Sequence, residues 1–158
     1  MSSSHMQFVE RIAGSPQSVF DLVADMPNYG RWLAKSDSFG ATTEVSPYPV
    51  CLGTTYLDAG PLGRRPGSVT AYDPPHAIAF HQTMDLKRGP LTGNADIHIA
   101  YEFEPVDGAT KVTRVIDLTL EIAGFLRVLE PLVRSAFRKE NARVLGELKR
   151  YVEAQPAP

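Results

Sequence analysis

The stretch Phe125–Val152, FLRVLEPLVRSAFRKENARVLGELKRYV, decides the fold of this chain. Stepped at about 100° per residue, Leu126, Leu129, Val133, Ala136, Phe137, Val144, Leu148 and Tyr151 fall within an arc of about 120°. Arginines, lysines and Glu153 cover the rest of the circumference. One helix of this length with a single apolar stripe is too long to lie inside a small globule. It must lie along something wide and apolar, and a twisted sheet is the natural partner. Pro131 is tolerable as a first-turn residue or as a kink, so the helix either begins near Glu130 or bends there. The stripe already present in Phe125–Leu129 favours the bend.

The text before the helix supplies the sheet. Gln7–Ile12 reads as a first strand. Ser15-Pro16 is a helix start, with Ser15 as N-cap and proline at the first helical position. That helix carries Val19, Phe20 and Val23 and should end before Pro27. Asn28–Leu33 is a short turn or second helix presenting Tyr29, Trp32 and Leu33. From Ser38 to Glu121 breakers recur at hairpin spacing: Pro47/Pro49, Gly60-Pro61, Pro66-Gly67, Pro74-Pro75, Gly89-Pro90, Gly93-Asn94 and Asp107-Gly108. The expected fold is α+β: a seven-stranded curved antiparallel sheet gripping a long C-terminal helix, with two short helices after the first strand.

Asp107-Gly108 is a strong two-residue turn signal. Centring a hairpin on it pairs Phe103 with Val112, Tyr101 with Arg114, Ile99 with Ile116 and Ile97 with Leu118. The other face then pairs Glu102 with Thr113, His98 with Asp117 and Asp96 with Thr119. For the preceding hairpin, a turn across residues 87–94 can be set so that Phe80 opposes Ile99, Gln82 opposes Ile97 and His81 opposes His98, the parity of faces being firmer than the exact partners. One face is apolar and the other polar, as a half-buried sheet requires.

The chain has 158 residues, 43% hydrophobic and 22% charged, with a net charge of −2. That length suits one domain, here residues 7–153, preceded by a Met1–Met6 segment that resembles a tag remnant and followed by a tail at 154–158. The charge balance gives no electrostatic case for a nucleic-acid partner. No run is long enough for stable membrane insertion. Cys51 is the single cysteine, which excludes an internal disulfide and is compatible with a reducing, cytoplasmic setting.

No nucleophile elbow, phosphate loop, zinc-protease motif or dinucleotide fingerprint occurs, and no cofactor is expected. Gly60–Gly67 is glycine-rich without the lysine of a phosphate loop and reads as a mobile turn. His76, His81 and His98 fit no standard zinc spacing, and His81 and His98 lie on the polar face, so no metal site is expected. The inward face is more suggestive, because Gln82, Tyr101 and Arg114 interrupt it. A buried unpaired guanidinium costs several kcal/mol. Arg114 must therefore snorkel out along Tyr101 or join a cavity with a few convergent polar groups. The expected cavity is lined by Trp32, Phe80, Ile99, Ile116, Leu129 and Val133, with residues 61–66 and 87–93 at its mouth. Glu140 lies near the middle of the apolar arc. It belongs either at the rim or opposite Arg114 and Tyr101 as a polar floor.

Ser15-Pro16-x-x-Val19-Phe20-Asp21-Leu22-Val23-Ala24-Asp25, then Tyr29-x-x-Trp32, resembles the N-terminal signature of the START-like superfamily with helix-grip fold. More narrowly it resembles the polyketide cyclase/dehydrase and lipid-transport group. Gly53-Thr54, Val69-x-x-Tyr72-Asp73-Pro74-Pro75 and the closing helix agree with it. The resemblance implies a deep apolar cavity between sheet and helix, holding a lipid-like, aromatic or polyketide ligand. No catalytic residue is shared across that group. Two functions follow: a binding or transport module for a hydrophobic small molecule, or a cyclase/dehydrase-type enzyme using the same cavity. In the second, Tyr101 and Arg114 would polarise a carbonyl, with Glu140 or a histidine as base.

Overall fold

The computed structural model describes residues 2–156. Seven strands, β1 (Ser2–Ile12), β2 (Ala41–Ser46), β3 (Thr55–Gly60), β4 (Gly63–Asp73), β5 (Ala77–Arg88), β6 (Leu91–Val106) and β7 (Ala109–Ile122), form one antiparallel sheet in the order β1-β7-β6-β5-β4-β3-β2. Helix α1 (Pro16–Ala24) and a 3-10 helix over Met26–Arg31 follow β1, and helix α2 (Glu130–Ala154) closes the chain. This is the expected helix-grip arrangement. Ser15 caps α1 by accepting the Ser18 N–H at 3.1 Å, with Pro16 in the first turn.

The strand registers are those expected. Tyr101 opposes Arg114, Ile99 opposes Ile116, and His98 opposes Asp117. Phe80 opposes Ile99, Gln82 opposes Ile97, and His81 opposes His98. Asp107 and Gly108 both take positive φ, 44° and 77°, the conformation that a two-residue turn between right-twisted strands requires.

Four boundaries differ from the sequence reading. First, β1 starts at Ser2 rather than Gln7. The segment read as a tag remnant, apart from Met1 outside the described residues, pairs with β7, and Met6 opposite Ile116 is buried. Second, Pro66-Gly67 lies inside β4, not in a mobile turn. Gly67 is needed there because the Tyr56 ring of the neighbouring strand lies across it, 2.5 Å from where a Cβ would stand. Third, the β5–β6 connection is the tight Gly89-Pro90 pair, and Gly93-Asn94 already pairs with β7. Fourth, α2 starts at Glu130 with Pro131 in its first turn, and Gly124–Leu129 form a separate 3-10 segment, so no continuous helix bends at the proline.

Only the second half of α2 packs as a core helix. Val144, Leu145 and Leu148 are buried against the sheet, whereas Val133 and Phe137 are half-buried and Ala136 is exposed. The apolar stripe persists, but its first half packs only partly on the core and roofs a gap above the sheet. Among the described residues no helix is long and apolar enough to cross a membrane.

Candidate functional site

That gap is a cavity of about 330 Å³. The sheet supplies Gln82, Met84, Ile97 and Ile99, which alternate inward along β5 and β6. Leu129, Val133, Phe137 and Val144 form the roof, and Leu33 and Phe39 close one end. Leu62, Lys87, Arg88 and Leu91 line it from the β3–β4 and β5–β6 turns, the two segments expected at the mouth. Leu132 also lines it and, like Phe125 and Val128 of the preceding 3-10 segment, is exposed.

The polar groups of the wall form four separate clusters. In the first, Arg114 is only 7% exposed, so snorkelling is excluded. Its Nε and Nη2 donate to Asn141 Oδ1 at 3.2 and 2.5 Å, and its Nη1 donates to the Tyr101 hydroxyl. Asn141 is itself held by donating to the Phe137 carbonyl one turn back, at 2.8 Å. Burial pushes the Tyr101 phenol above its ordinary range, which keeps it neutral. Both hydrogen-bonding partners of the guanidinium are therefore neutral, and no hydrogen-bonded carboxylate balances its charge.

In the second cluster, the Tyr56 hydroxyl donates to Gln82 Oε1 at 2.8 Å inside the wall. The third is a buried pair: Arg65 Nη2 lies 3.3 Å from Asp58 Oδ2 and donates to the Ser38 carbonyl at 2.7 Å, while Thr42 donates to Asp58 Oδ1 at 2.8 Å. Burial raises the Asp58 carboxyl above the usual range, more than Arg65 and Thr42 lower it. The fourth joins Glu140 to Arg143, at 2.8 and 3.1 Å, and to the Ser36 hydroxyl at 3.0 Å. Burial opposes ionisation of Glu140, but the hydrogen bonds from Arg143 and Ser36 outweigh it and hold the carboxyl below its ordinary range.

Of the residues singled out from the sequence, Gln82, Ile99, Arg114, Leu129, Val133 and Glu140 line this cavity. Trp32, Phe80, Tyr101 and Ile116 do not; they are buried in the core behind it. Trp32 packs edge-on to Tyr29, at 5.1 Å between centroids, and it is Tyr29 that reaches the cavity. Tyr101 acts on the cavity only through Arg114. Glu140 lines the wall without meeting Arg114; the residue that does is Asn141, one position later on the helix.

Asn141, Asp58 and Arg65 were missed by sequence reasoning. Asp58 and Arg65 are directly opposed across the β3–β4 hairpin. Reading Gly60–Gly67 as a loop removed Arg65 from any strand face. Centring a hairpin on residues 61–62 would have found the pair. None of the histidines faces the cavity, which removes them as bases for chemistry inside it.

Residues 5–153 match the family described as polyketide cyclase / dehydrase and lipid transport, and the chain belongs to that family. Its fold matches the di-domain ARO/CYC BexL from the BE-7585A biosynthetic pathway with a TM-score of 0.70 and 16% identity, over 98% of this chain and 51% of that one. The chain thus spans about half the length of that relative. It also matches protein MLL2253 from Mesorhizobium loti, with a TM-score of 0.71 and 10% identity over 98% and 100% of the two chains. Ara h 8.0201 matches with a TM-score of 0.66 and 12% identity, again over 98% and 100%. At these identities the likeness is one of fold. No curated protein matches the sequence.

Proposed function

We propose that this protein binds and carries an amphipathic small molecule, with its apolar body between sheet and α2 and a negatively polarised oxygen at Arg114. The observation that carries the reading is a buried guanidinium with only neutral hydrogen-bonding partners, standing in the wall of a mainly apolar cavity. A carboxylate, phenolate or enolised carbonyl there would supply a hydrogen-bonded counter-charge to the guanidinium. The cavity volume is at the small end of ligand pockets, which run from about 300 to 1,000 Å³. It favours a one- or two-ring aromatic or a short acyl chain over a long folded polyketide. A single, half-buried thiol is in keeping with a reducing cytoplasmic setting.

The test is native mass spectrometry of co-purifying small molecules, together with titration of 8-anilinonaphthalene-1-sulfonate, an anionic aromatic probe. Saturable probe binding that weakens at least about tenfold in Arg114→Met would support the reading. Binding unaffected by that change, or none, would overturn it.

A second reading, a cyclase/dehydrase-type enzyme, is favoured by Asp58. Its burial-raised carboxyl lines the same cavity as Arg114, so a base for a methylene proton and a guanidinium to polarise a carbonyl would face one ligand. Turnover of a small poly-β-ketone that Asp58→Asn abolishes would select this reading over the carrier. Glu140 serves it less well, since its carboxyl is held ionised by Arg143 and Ser36.

A further inference from the structure

We propose that His81, Asp96 and His98 form a binding site for a borderline first-row divalent cation, zinc foremost, on the outer face of the sheet. Histidine spacing alone conceals this site, because the third donor is a carboxylate. The β5–β6 register creates it. His81 and His98 are directly opposed, and Asp96 lies two residues before His98, so all three side chains emerge on the same face. His81 Nε2 lies 2.6 Å from Asp96 Oδ1, and His98 Nε2 lies 3.1 Å from Asp96 Oδ2. The three donor atoms all fall within 4.8 Å of one another. The imidazoles stack 4.2 Å apart at 13°, each presenting Nε2 to the one carboxylate.

Zinc bonds to nitrogen and oxygen of about 2.0–2.2 Å place tetrahedral ligand atoms roughly 3.3–3.5 Å apart. The three side chains are 35%, 43% and 56% exposed, which leaves them room to rotate towards that spacing. Two imidazoles and one carboxylate suit zinc, nickel or cobalt better than calcium or magnesium, which prefer all-oxygen shells. Three protein ligands leave one position to water or an exogenous group, as in open rather than structural zinc sites. The ion would cross-link β5 and β6, whose opposite faces carry Gln82, Ile97 and Ile99 into the cavity. Cavity and cation site thus share one two-stranded wall.

The experiment is calorimetric titration of the chelator-treated full chain with zinc chloride near neutral pH, with cobalt(II) absorption as a spectroscopic reporter. One saturable equivalent is expected, together with cobalt d–d bands of a four-coordinate site and an upward shift in melting temperature. His81→Ala and His98→Ala should each weaken binding at least about tenfold, and Asp96→Asn should alter the cobalt spectrum. His5→Ala should change neither, although His5 lies on the same face beside Asp117, at 2.7 Å. Metal-free melting curves of these exposed-site variants control for folding. Absence of saturable binding, affinity retained when both histidines are replaced, or loss of binding in His5→Ala or Cys51→Ser would overturn the site.

Discussion

Asn141→Leu is the sharpest perturbation the structure offers. Asn141 Oδ1 accepts two hydrogen bonds from the Arg114 guanidinium, and leucine keeps the same branched shape but has no acceptor. The change leaves a buried cation with two N–H groups unpaired. Hydrogen bonds to charged groups contribute about 1.5–3 kcal/mol, and breaking a buried charged contact from one side costs about 3–5 kcal/mol. Leucine returns about 0.5 kcal/mol through its better helix propensity. A net loss of about 2.5 kcal/mol is expected, or roughly 5–10 °C in melting temperature for a chain of this size. Arg114→Met removes the charge and leaves two buried groups, Asn141 Oδ1 and the Tyr101 hydroxyl, without their donor, at about 1.5 kcal/mol. The double variant replaces both groups by apolar ones and should lose only about 1 kcal/mol, less than Asn141→Leu alone. Urea unfolding followed by circular dichroism measures all four corners of the cycle. Additive losses, or Asn141→Leu within about 0.5 kcal/mol of the parent, would refute the buried-cation account.

Glu140→Gln should cost about 0.5–1 kcal/mol at neutral pH and be additive with Arg114→Met, because the two clusters share no hydrogen bond. The native Glu140 carboxyl lies below the ordinary value of 4.5, so on acidification the unfolded chain takes up the proton first. Its contribution is complete above about pH 4.5 and is lost as pH falls through the depressed native value; the Gln variant should show a shallower acid limb in the same unfolding series. Gly67→Ala places a methyl 2.5 Å from Tyr56 Cζ and 2.9 Å from the His81 carbonyl oxygen. It should expel the Tyr56 ring, break its bond to Gln82 and cost about 2 kcal/mol, and a melting temperature unchanged within about 2 °C would contradict that packing.

Most of the fold was legible because two periodicities and one turn over-determine it. Asp107-Gly108 sets the β6–β7 register and with it Arg114, and a second turn within residues 87–94 extends the alternation to His81 and Gln82. The helix stripe was legible too, but not its division into a packed half and a roof. Helical phase reports which side is apolar, not whether anything fills the space beneath it. The same limit explains Glu140 and Asn141. They are neighbours on the wheel, and only the depth of Arg114 in the sheet decides which one it meets. Arg65 and Asp58 were hidden by Gly63, Pro66 and Gly67, which read as loop residues. Here they lie within a strand, because Tyr56 covers Gly67, and Pro66 and Gly67 pair with Leu57 and Tyr56 of β3. Trp32 and Phe80 were placed on the cavity wall for their size, yet large rings packed by other rings, Tyr29 and Tyr56, become core instead.

The position of β1 sets an order on how the chain can assemble. Strands β3 to β7 join through tight turns, so each pairs with a neighbour just made. β1, first in sequence, has its partner in β7, where Ser2 meets Leu120 and Ile12 meets Thr110. Closing a loop of about a hundred residues costs roughly 2 kcal/mol more chain entropy than closing one of ten. The meander therefore gains contacts before the loop closes, and β1 docks late. Helix α2 is coupled to that step: Glu153 accepts the Ala13 N–H at 3.0 Å, and Lys149 donates to the Arg11 carbonyl. During synthesis the first strand must wait, unpaired, for residues made more than a hundred positions later, which makes this a slow-folding topology for its size.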